Sequence, residues 1–436
     1  MKFGGTSVGR PERMHQVKDL ITRGDEPTIV VLSALSGTTN ALVGIGEALA
    51  AADKSLAKDR IDALHAHYLA FYPALLQTAE ARAKAEEIIK EHFEFLNILL
   101  KISFNEAINR DILAQGELLS TKLFYTLLGE LEIPAVFLPA LDFMSIDENS
   151  EPELPKISEK LKAILAQYPN ERIFITQGYI CKNHRNEVDN LKRGGSDYTA
   201  SLVAAAINAS VCEIWTDIDG MHNNDPRIVD RTRPIAEMSF DEAAELAYFG
   251  AKILHPASIW PAQLHNIPVK LLNTMQPDAG GTLIKAAVET TGVKAIAAKD
   301  GITAIKIKSS RMLLAYGFLR RIFEVFEKYK TPIDMITTSE VAVSVTIDDL
   351  SHLEHIQAEL ESFGTVEIDR NQAIICVVGN KVAETKGAVQ SVLDSLIDIP
   401  VRMVSFGGSK HNVSILVDAQ YKTQALKSLN EGVFTW

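Results

Sequence analysis

Cysteine is scarce in this chain. Its three cysteines, Cys181, Cys212 and Cys376, lie far apart and show no C-x-x-C spacing. That excludes the disulfide framework of a small secreted domain; an odd, scattered set reads as buried thiols in a reducing cytoplasm. No apolar run reaches the ~18 residues that a membrane-crossing helix needs, and no signal-peptide pattern is present. Positive charge is in deficit as well, with 44 Lys and Arg against 56 Asp and Glu for a net charge of −12. Such a field argues against nucleic acid or an anionic membrane as the main partner. Neither the G-x-x-x-x-G-K-[ST] phosphate loop nor the G-x-G-x-x-G fingerprint occurs.

What the chain does have is length. Its 436 residues are too many for one hydrophobic core, so two or three domains are expected. Over the first ~290 residues short apolar runs alternate with helical patterns. Ile29–Leu32, Ala135–Leu138, Arg172–Thr176, Val211–Trp215 and Val269–Leu272 read as strands. Between them, residues 53–110 read as an all-helical insertion broken at Pro73. A helix opens at Gln115 and runs to Glu130, Asp142–Pro155 reads as a loop, Ile157–Gln167 as a helix, and Gly178–Leu191 as an exposed hairpin or loop. This alternation predicts one α/β domain with a mainly parallel sheet. His65 and His67 are two apart on a helix and do not face each other, which argues against a metal pair.

The remainder repeats itself. Strand Ala304–Lys308, helix Gly317–Lys330, strand Pro332–Ile336 and strand Val341–Ile347 are followed by strand Ala373–Val378, helix Lys386–Leu396, strand Pro400–Val404 and strand Val413–Val417. Each copy is strand–helix–strand–strand with a further helix after it. Small βαββ units of this kind bury one sheet face under helices and pair to complete a sheet.

Two glycine-bearing turns stand out, Gly4-Gly5 and Gly194-Gly195. Adjacent glycines let backbone N–H groups approach an anion closely. Lys2 places an ammonium beside the first turn, and Thr6 and Ser7 offer hydroxyls; a helix starting near Pro11 would add its dipole. Lys192, Arg193 and Asp197 flank the second turn, and Asp217, Asp219 and Lys252 follow later strands and helices. Phosphoryl transfer needs these residue types, because its catalysis is mainly positioning and charge stabilisation. Each piece also has a plain structural reading: an ordinary Gly-Gly turn, a surface cation, a helix cap, a turn former, a helix-end cation.

Taken in order, Lys2 to Ser7, Gln115-Gly116-Glu117, Arg193 to Asp197, Trp215-Thr216-Asp217, Asp225-Pro226-Arg227 and Phe249 to Pro256 closely resemble the aspartate kinases of the amino-acid kinase family. The resemblance covers essentially the whole chain, and the tandem repeat resembles the paired ACT regulatory domains of the monofunctional enzymes. It implies an α/β fold: a three-layer parallel-sheet catalytic domain over 1–295, then ACT-like regulatory domains over 296–370 and 371–436. The implied reaction moves the γ-phosphate of ATP to the β-carboxylate of L-aspartate, the first step towards lysine, threonine and methionine. Mg²⁺ is expected mainly on the nucleotide phosphates, with no metal site of the protein's own. A cytoplasmic homodimer or higher homo-oligomer, assembled through the ACT domains without nucleic acid or membrane, is also implied.

Residue by residue, the resemblance assigns Lys2 and Asp217 to catalysis. It places Lys2, Phe3, Gly4, Gly5, Thr216, Asp217, His222, Arg227, Lys252 and Ile253 on the ATP side. Ser33, Thr39, Glu117, Arg193, Gly194, Gly195, Ser196 and Asp197 fall to the aspartate pocket. Arg193 suits a carboxylate through its bidentate fork, and Glu117 suits an ammonium. The nucleophile is a carboxylate already ionised at neutral pH, so no general base is assigned. Some positions depart from the family pattern: only Met1 precedes Lys2 here, so a shortened first strand or an internal start is expected, His222 stands where tyrosine is common, and Gln115 replaces a frequent histidine. A kinase of another acidic amino acid and a non-catalytic amino-acid sensor stay open as alternatives.

A regulatory site is implied too. Met312, Ala315, Phe318, Leu319, Ile333, Asp334, Ser339 and Glu340 resemble the effector site of lysine-inhibited aspartate kinases. Asp334 or Glu340 would accept an ammonium, and Met312 and Phe318 would pack on the methylenes. The alternative is that Phe318 and Ile333 are core and Asp334 and Glu340 are surface residues. Ala315 and Pro332 stand where small hydroxyl residues are common, which leaves room for a different effector.

Overall fold

The computed structural model describes residues 1–191, 194–250, 254–309 and 316–434. They fall into two compact units. One comprises Met1–Met221, Ala236–Met238 and Leu254–Ala286; the other comprises His222–Ile235, Ser239–Ile253 and Ala287–Trp436.

The first unit is built on β1 (Lys2–Phe3), β2 (Thr28–Leu32), β3 (Val136–Leu138), β4 (Ile173–Gln177), β7 (Cys212–Thr216), β8 (Glu237–Ser239), β9 (Val269–Asn273) and β10 (Thr282–Lys285), with β5 (Ile180–Lys182) and β6 (Val188–Asn190) forming a separate hairpin. The order β3-β4-β2-β1-β7-β9-β10-β8 puts the two-residue β1 in the middle. It is parallel to β2 on one side and to β7 on the other. All pairings from β3 to β9 are parallel, and β10 turns back antiparallel on β9. Side chains alternate across the sheet: in β2 and β4, Val30, Leu32, Ile173 and Ile175 join one core, and Ile29 and Phe174 join another. Helices Pro11–Ile21, Thr38–Ala50, Lys54–Leu75, Ala79–Leu99 and Glu106–Glu130 line the first core; Leu154–Leu165 and Gly195–Ile207 line the second. The result is the expected three-layer α/β arrangement.

Several local readings differ from the sequence pattern. The helix carrying Gln115, Gly116 and Glu117 starts at Glu106, capped by the Asn105 side chain, so these residues sit mid-helix rather than at its opening. Pro73 lies within the helix Lys54–Leu75, which ends two residues later at Leu75. Asp142–Pro155 is not wholly loop, because Ala140–Phe143 is a short helix and Pro155 opens the next one. Proline is well placed in a first helical turn, where its missing N–H has no intrahelical partner to lose.

The second unit contains β11 (Gly292–Lys308), β12 (Ile336–Thr338), β13 (Ala342–Ile347), β14 (Thr365–Asn380), β15 (Val401–Phe406) and β16 (Asn412–Asp418) in one antiparallel sheet ordered β12-β13-β11-β14-β16-β15. The two repeats interleave through the long strands β11 and β14. The first part of β11, Gly292–Lys299, pairs with Ile374–Asn380; its last part, Thr303–Lys308, pairs with β13 and with the start of β14. Accordingly Ile305 and Ile307 enter the core under helices Phe318–Lys328 and Leu353–Leu360, whereas Ile296 enters the core under helices Ala388–Asp394 and Lys422–Val433. A strand expected over Pro332–Ile336 forms later, over Ile336–Thr338.

Candidate active site

In a mainly parallel sheet, ligands gather at the carboxyl ends of strands where the chain changes direction, and β1 is that place here. From β1 the chain moves outward to β2 and β4, and it later returns to the other side as β7 and β9. The peptide after β1 turns at once into the short helix Gly5–Val8, with the Ser7 and Val8 N–H groups donating to the Gly4 carbonyl. A Cβ on Gly4 would lie 3.3 Å from Lys2 Nζ, and one on Gly5 would lie 3.0 Å from the Ala34 carbonyl. Glycine suits this close approach between the ends of β1 and β2, where a side chain at Gly5 would press on the Ala34 backbone.

Lys2 Nζ pairs with Asp197 Oδ1 at 2.6 Å, both side chains being largely shielded. Asp197 sits in the first turn of helix Gly195–Ile207, which starts after Gly194 in a left-handed conformation. Beside it, Ser33 Oγ donates to Ser196 Oγ at 2.8 Å. Glu117 is 4% exposed. Its Oε1 accepts the Ala34 N–H at 3.2 Å, and its Oε2 is buried without a partner among the described residues. Burial pushes the Glu117 carboxyl up to about 7, only partly offset by backbone hydrogen bonds. On the far side of β1, Phe3 stacks on Trp215, and Thr216 Oγ1 donates to the exposed Asp217. Thus Lys2, Gly4, Gly5, Ser33, Glu117, Ser196 and Asp197 come together around the ends of β1 and β2, while Thr216 ends β7 and Asp217 follows it.

Some expectations land elsewhere. Thr39 is exposed; its neighbour Thr38 is buried and shares a 3.2 Å hydrogen bond with Tyr68 of the helical insertion. Ser7 is buried and spends its hydroxyl on Thr274 at 2.7 Å. Thr274 could have been found from sequence by the rule that located Asp217, since it directly follows a strand. Nothing in the sequence links Tyr68 to the site. Gln115 accepts from His92 Nδ1 at 2.6 Å, and Lys122 donates to the other ring nitrogen at 2.9 Å; burial lowers the His92 pKa, which keeps that ring neutral. Arg193, Lys252 and Ile253 lie outside the described residues. No group of three or more His, Cys, Asp and Glu able to hold a metal occurs among the described residues.

The second unit carries the other candidates. Arg227 forms a two-pronged pair with Asp225, Nε to Oδ1 at 2.9 Å and Nη2 to Oδ2 at 2.7 Å, while remaining exposed. His222 Nδ1 lies 3.3 Å from Thr232 Oγ1. Of the regulatory candidates, Met312 and Ala315 lie outside the described residues. Phe318 is core, Ile333 packs against the same core, and Leu319, Ser339 and Glu340 are exposed. Asp334 is not a surface group: its side chain is 1% exposed and its Oδ1 faces Lys299 Nζ at 2.7 Å.

Comparison with known proteins decides the family. The amino acid kinase family profile matches residues 1–273, and an ACT domain profile matches 375–433. The lysine-sensitive aspartokinase 3 of Escherichia coli (strain K12) is 33% identical, over 99% of this chain and 98% of its own. The chain belongs to the aspartokinase family. Solved structures agree with that membership. E. coli aspartokinase III in complex with aspartate and ADP (R-state) matches this aspartokinase fold with a TM-score of 0.84 at 32% identity, covering 100% of this chain and 99% of that one. The same enzyme in complex with lysine and aspartate (T-state) matches with a TM-score of 0.83 at 32% identity and the same coverage. No helix among the described residues is long and apolar enough to cross a membrane.

Proposed function

We propose that this aspartokinase transfers the γ-phosphoryl group of ATP to the β-carboxylate of L-aspartate, giving 4-phospho-L-aspartate, with the roles that follow. The observation that carries the reading is Glu117, a buried carboxylate next to the ends of β1 and β2 with an oxygen that has no partner among the described residues. Burying a carboxylate without a full set of partners is costly, and a substrate ammonium relieves that cost. Arg193 takes the α-carboxylate of aspartate, and the Ser33–Ser196 hydroxyl pair and the start of helix Gly195–Ile207 line the same pocket. Lys2, held by Asp197, faces the transferring phosphoryl group beside the Gly4-Gly5 turn. Thr216, Asp217, His222, Arg227, Lys252 and Ile253 serve the nucleotide.

The substrate carboxylate attacks as the anion it already is, so the protein supplies position and charge rather than a base. The glycine-lined approach at Gly4 and Gly5, which a Cβ would obstruct, fits a phosphate with its magnesium. When bound with the nucleotide, the ion would offset phosphate charge, and Lys2 and the Gly4-Gly5 turn would hold the phosphate beside it. Residues 1–295 form the catalytic domain, and 296–370 and 371–436 the two ACT-like domains. The enzyme works in the cytoplasm as a homodimer or higher oligomer joined through the ACT sheets, whose edge strands β12 and β15 expose Ile336, Val401 and Phe406. ADP release in the presence of aspartate, L-glutamate or N-acetyl-L-glutamate tests the substrate: only aspartate is expected to support turnover, and a preference for either of the others contradicts the reading.

The relative's lysine sensitivity and the lysine-bound neighbour support L-lysine as the inhibitor. Its ammonium is assigned to Asp334. Asp334→Asn is then expected to raise the lysine concentration for half-inhibition about ten-fold or more, because a charge-assisted hydrogen bond contributes ~1.5–3 kcal/mol. An unchanged inhibition curve in the folded variant removes Asp334 from the site.

A further inference from the structure

The carboxylate of Asp334 is already engaged from two directions. Lys299, on β11, donates to Oδ1 at 2.7 Å and also pairs with Asp348 at 2.9 Å. The hydroxyl of Tyr248, the last residue of helix Phe240–Tyr248, donates to the same Oδ1 at 2.8 Å. The Lys299 ammonium also sits 4.7 Å above the Tyr248 ring. Oδ2 is buried and has no partner among the described residues. Asp334, Asp348 and Lys299 together leave one negative charge without a counter-charge inside this cluster, and the open oxygen is where a further ammonium would be received.

The helix end beside this cluster has little freedom. Gly250 has φ +136°, and a Cβ there would lie 2.2 Å from the Ala298 carbonyl, so only glycine allows this approach to β11. Farther up the helix, the fully buried Glu242 is held by Lys294 of β11 at 3.0 Å, and the Glu245 carboxylate accepts from Asn412 of β16. The helix is therefore fastened to the sheet along its length, and the Tyr248 hydroxyl ties its last turn to the segment that carries Asp334. That bond has a neutral donor, whereas Lys299 and an arriving ammonium each bring a full positive charge to the carboxylate.

We propose that Tyr248 is the coupling residue of the regulatory site: an amino-acid ammonium arriving on Asp334 Oδ2 draws the carboxylate away from the Tyr248 hydroxyl, and helix Phe240–Tyr248 responds to that loss. This deepens the lysine reading above and rests on it. The two events oppose each other, so linkage makes the effect reciprocal. Where the Tyr248 bond is absent, the ammonium binds more tightly but its binding is transmitted less.

Tyr248→Phe tests this. The residue is 46% exposed and loses only its hydroxyl, so the fold is not at stake. Full-length wild type and variant are titrated with L-lysine by calorimetry, and activity is followed to saturating lysine. The expected result is a Kd roughly three- to tenfold lower in the variant, together with higher residual activity at saturation. Lysine binding to both proteins with the same Kd and the same residual activity overturns the coupling role and leaves the lysine site standing. Absence of lysine binding to the wild type overturns the lysine reading, and the inference with it.

Discussion

Replacing Lys2 by alanine is expected to lower kcat by roughly 10²–10³-fold, the scale measured for removal of one preorganised electrostatic stabiliser. Lys2 lies on a strand of only two residues, yet that strand is held on both sides, paired with Val31 of β2 and Ile214 of β7. Its ammonium is fixed by Asp197 at 2.6 Å. A cation that is oriented before the substrates arrive needs no reorganisation when charge develops on the transferring group. The loss falls on kcat rather than on the KM for ATP, since the interaction strengthens as charge builds up. Steady-state kinetics on the folded variant check this; near-normal turnover removes Lys2 from the site.

The second large effect belongs to Glu117. Glu117→Gln keeps the shape and the bond from the Ala34 N–H but removes the charge that a substrate ammonium would meet. The expected fall in kcat/KM for aspartate is at least about thirtyfold, the equivalent of ~2 kcal/mol for a lost charged partner. The pH dependence gives a sharper signature. With its carboxyl pushed up to about 7, Glu117 must lose a proton before it can take the ammonium. Wild-type kcat/KM for aspartate should therefore rise with pH and level off above about 7, and the glutamine variant should lack that rise. Stability moves the other way. The folded pKa lies above the unfolded value of 4.5, so this group's contribution to stability is greatest below that value and is lost as pH climbs towards about 7. Denaturant unfolding of wild type should show the decline between about pH 5 and about pH 8, and the variant should show less of it. A flat kcat/KM profile across this range contradicts the assignment.

Lys2 and Glu117 stand out as candidates in the sequence because each belongs to a stretch whose chemistry is local. Lys2 adjoins a double glycine, and Glu117 stands in a pattern shared with a family. The parallel strands β2, β3, β4, β7 and β9 were equally readable, since buried parallel strands are continuous apolar runs flanked by polar turns; β8, three residues long, carries no such run. The helix around Glu117 was read to start at Gln115, because Asn105, which caps it, lies before a stretch that looked like part of the preceding insertion. What escaped was set by tertiary contacts. Thr38 and Tyr68 meet across separate helices, and Ser7 meets Thr274 across 267 residues of chain. The repeat was visible as two copies in sequence. Their interleaving was not, because it depends on β11 and β14 each being long enough to serve both cores. Asp334 stands with Glu340 in the sequence as a candidate ammonium acceptor, but no pattern there indicates that Lys299 and Tyr248 already hold it.

If a carboxylate is the phosphoryl acceptor, the product is an acyl phosphate, and trapping it tests that directly. The enzyme is incubated with MgATP, L-aspartate and hydroxylamine, which converts an acyl phosphate to a hydroxamate, and the product is identified by mass spectrometry and NMR. The predicted result is the β-hydroxamate of aspartate, formed in step with ADP and absent when L-glutamate replaces aspartate. ADP released without hydroxamate, or a hydroxamate on the α-carboxylate, would contradict it.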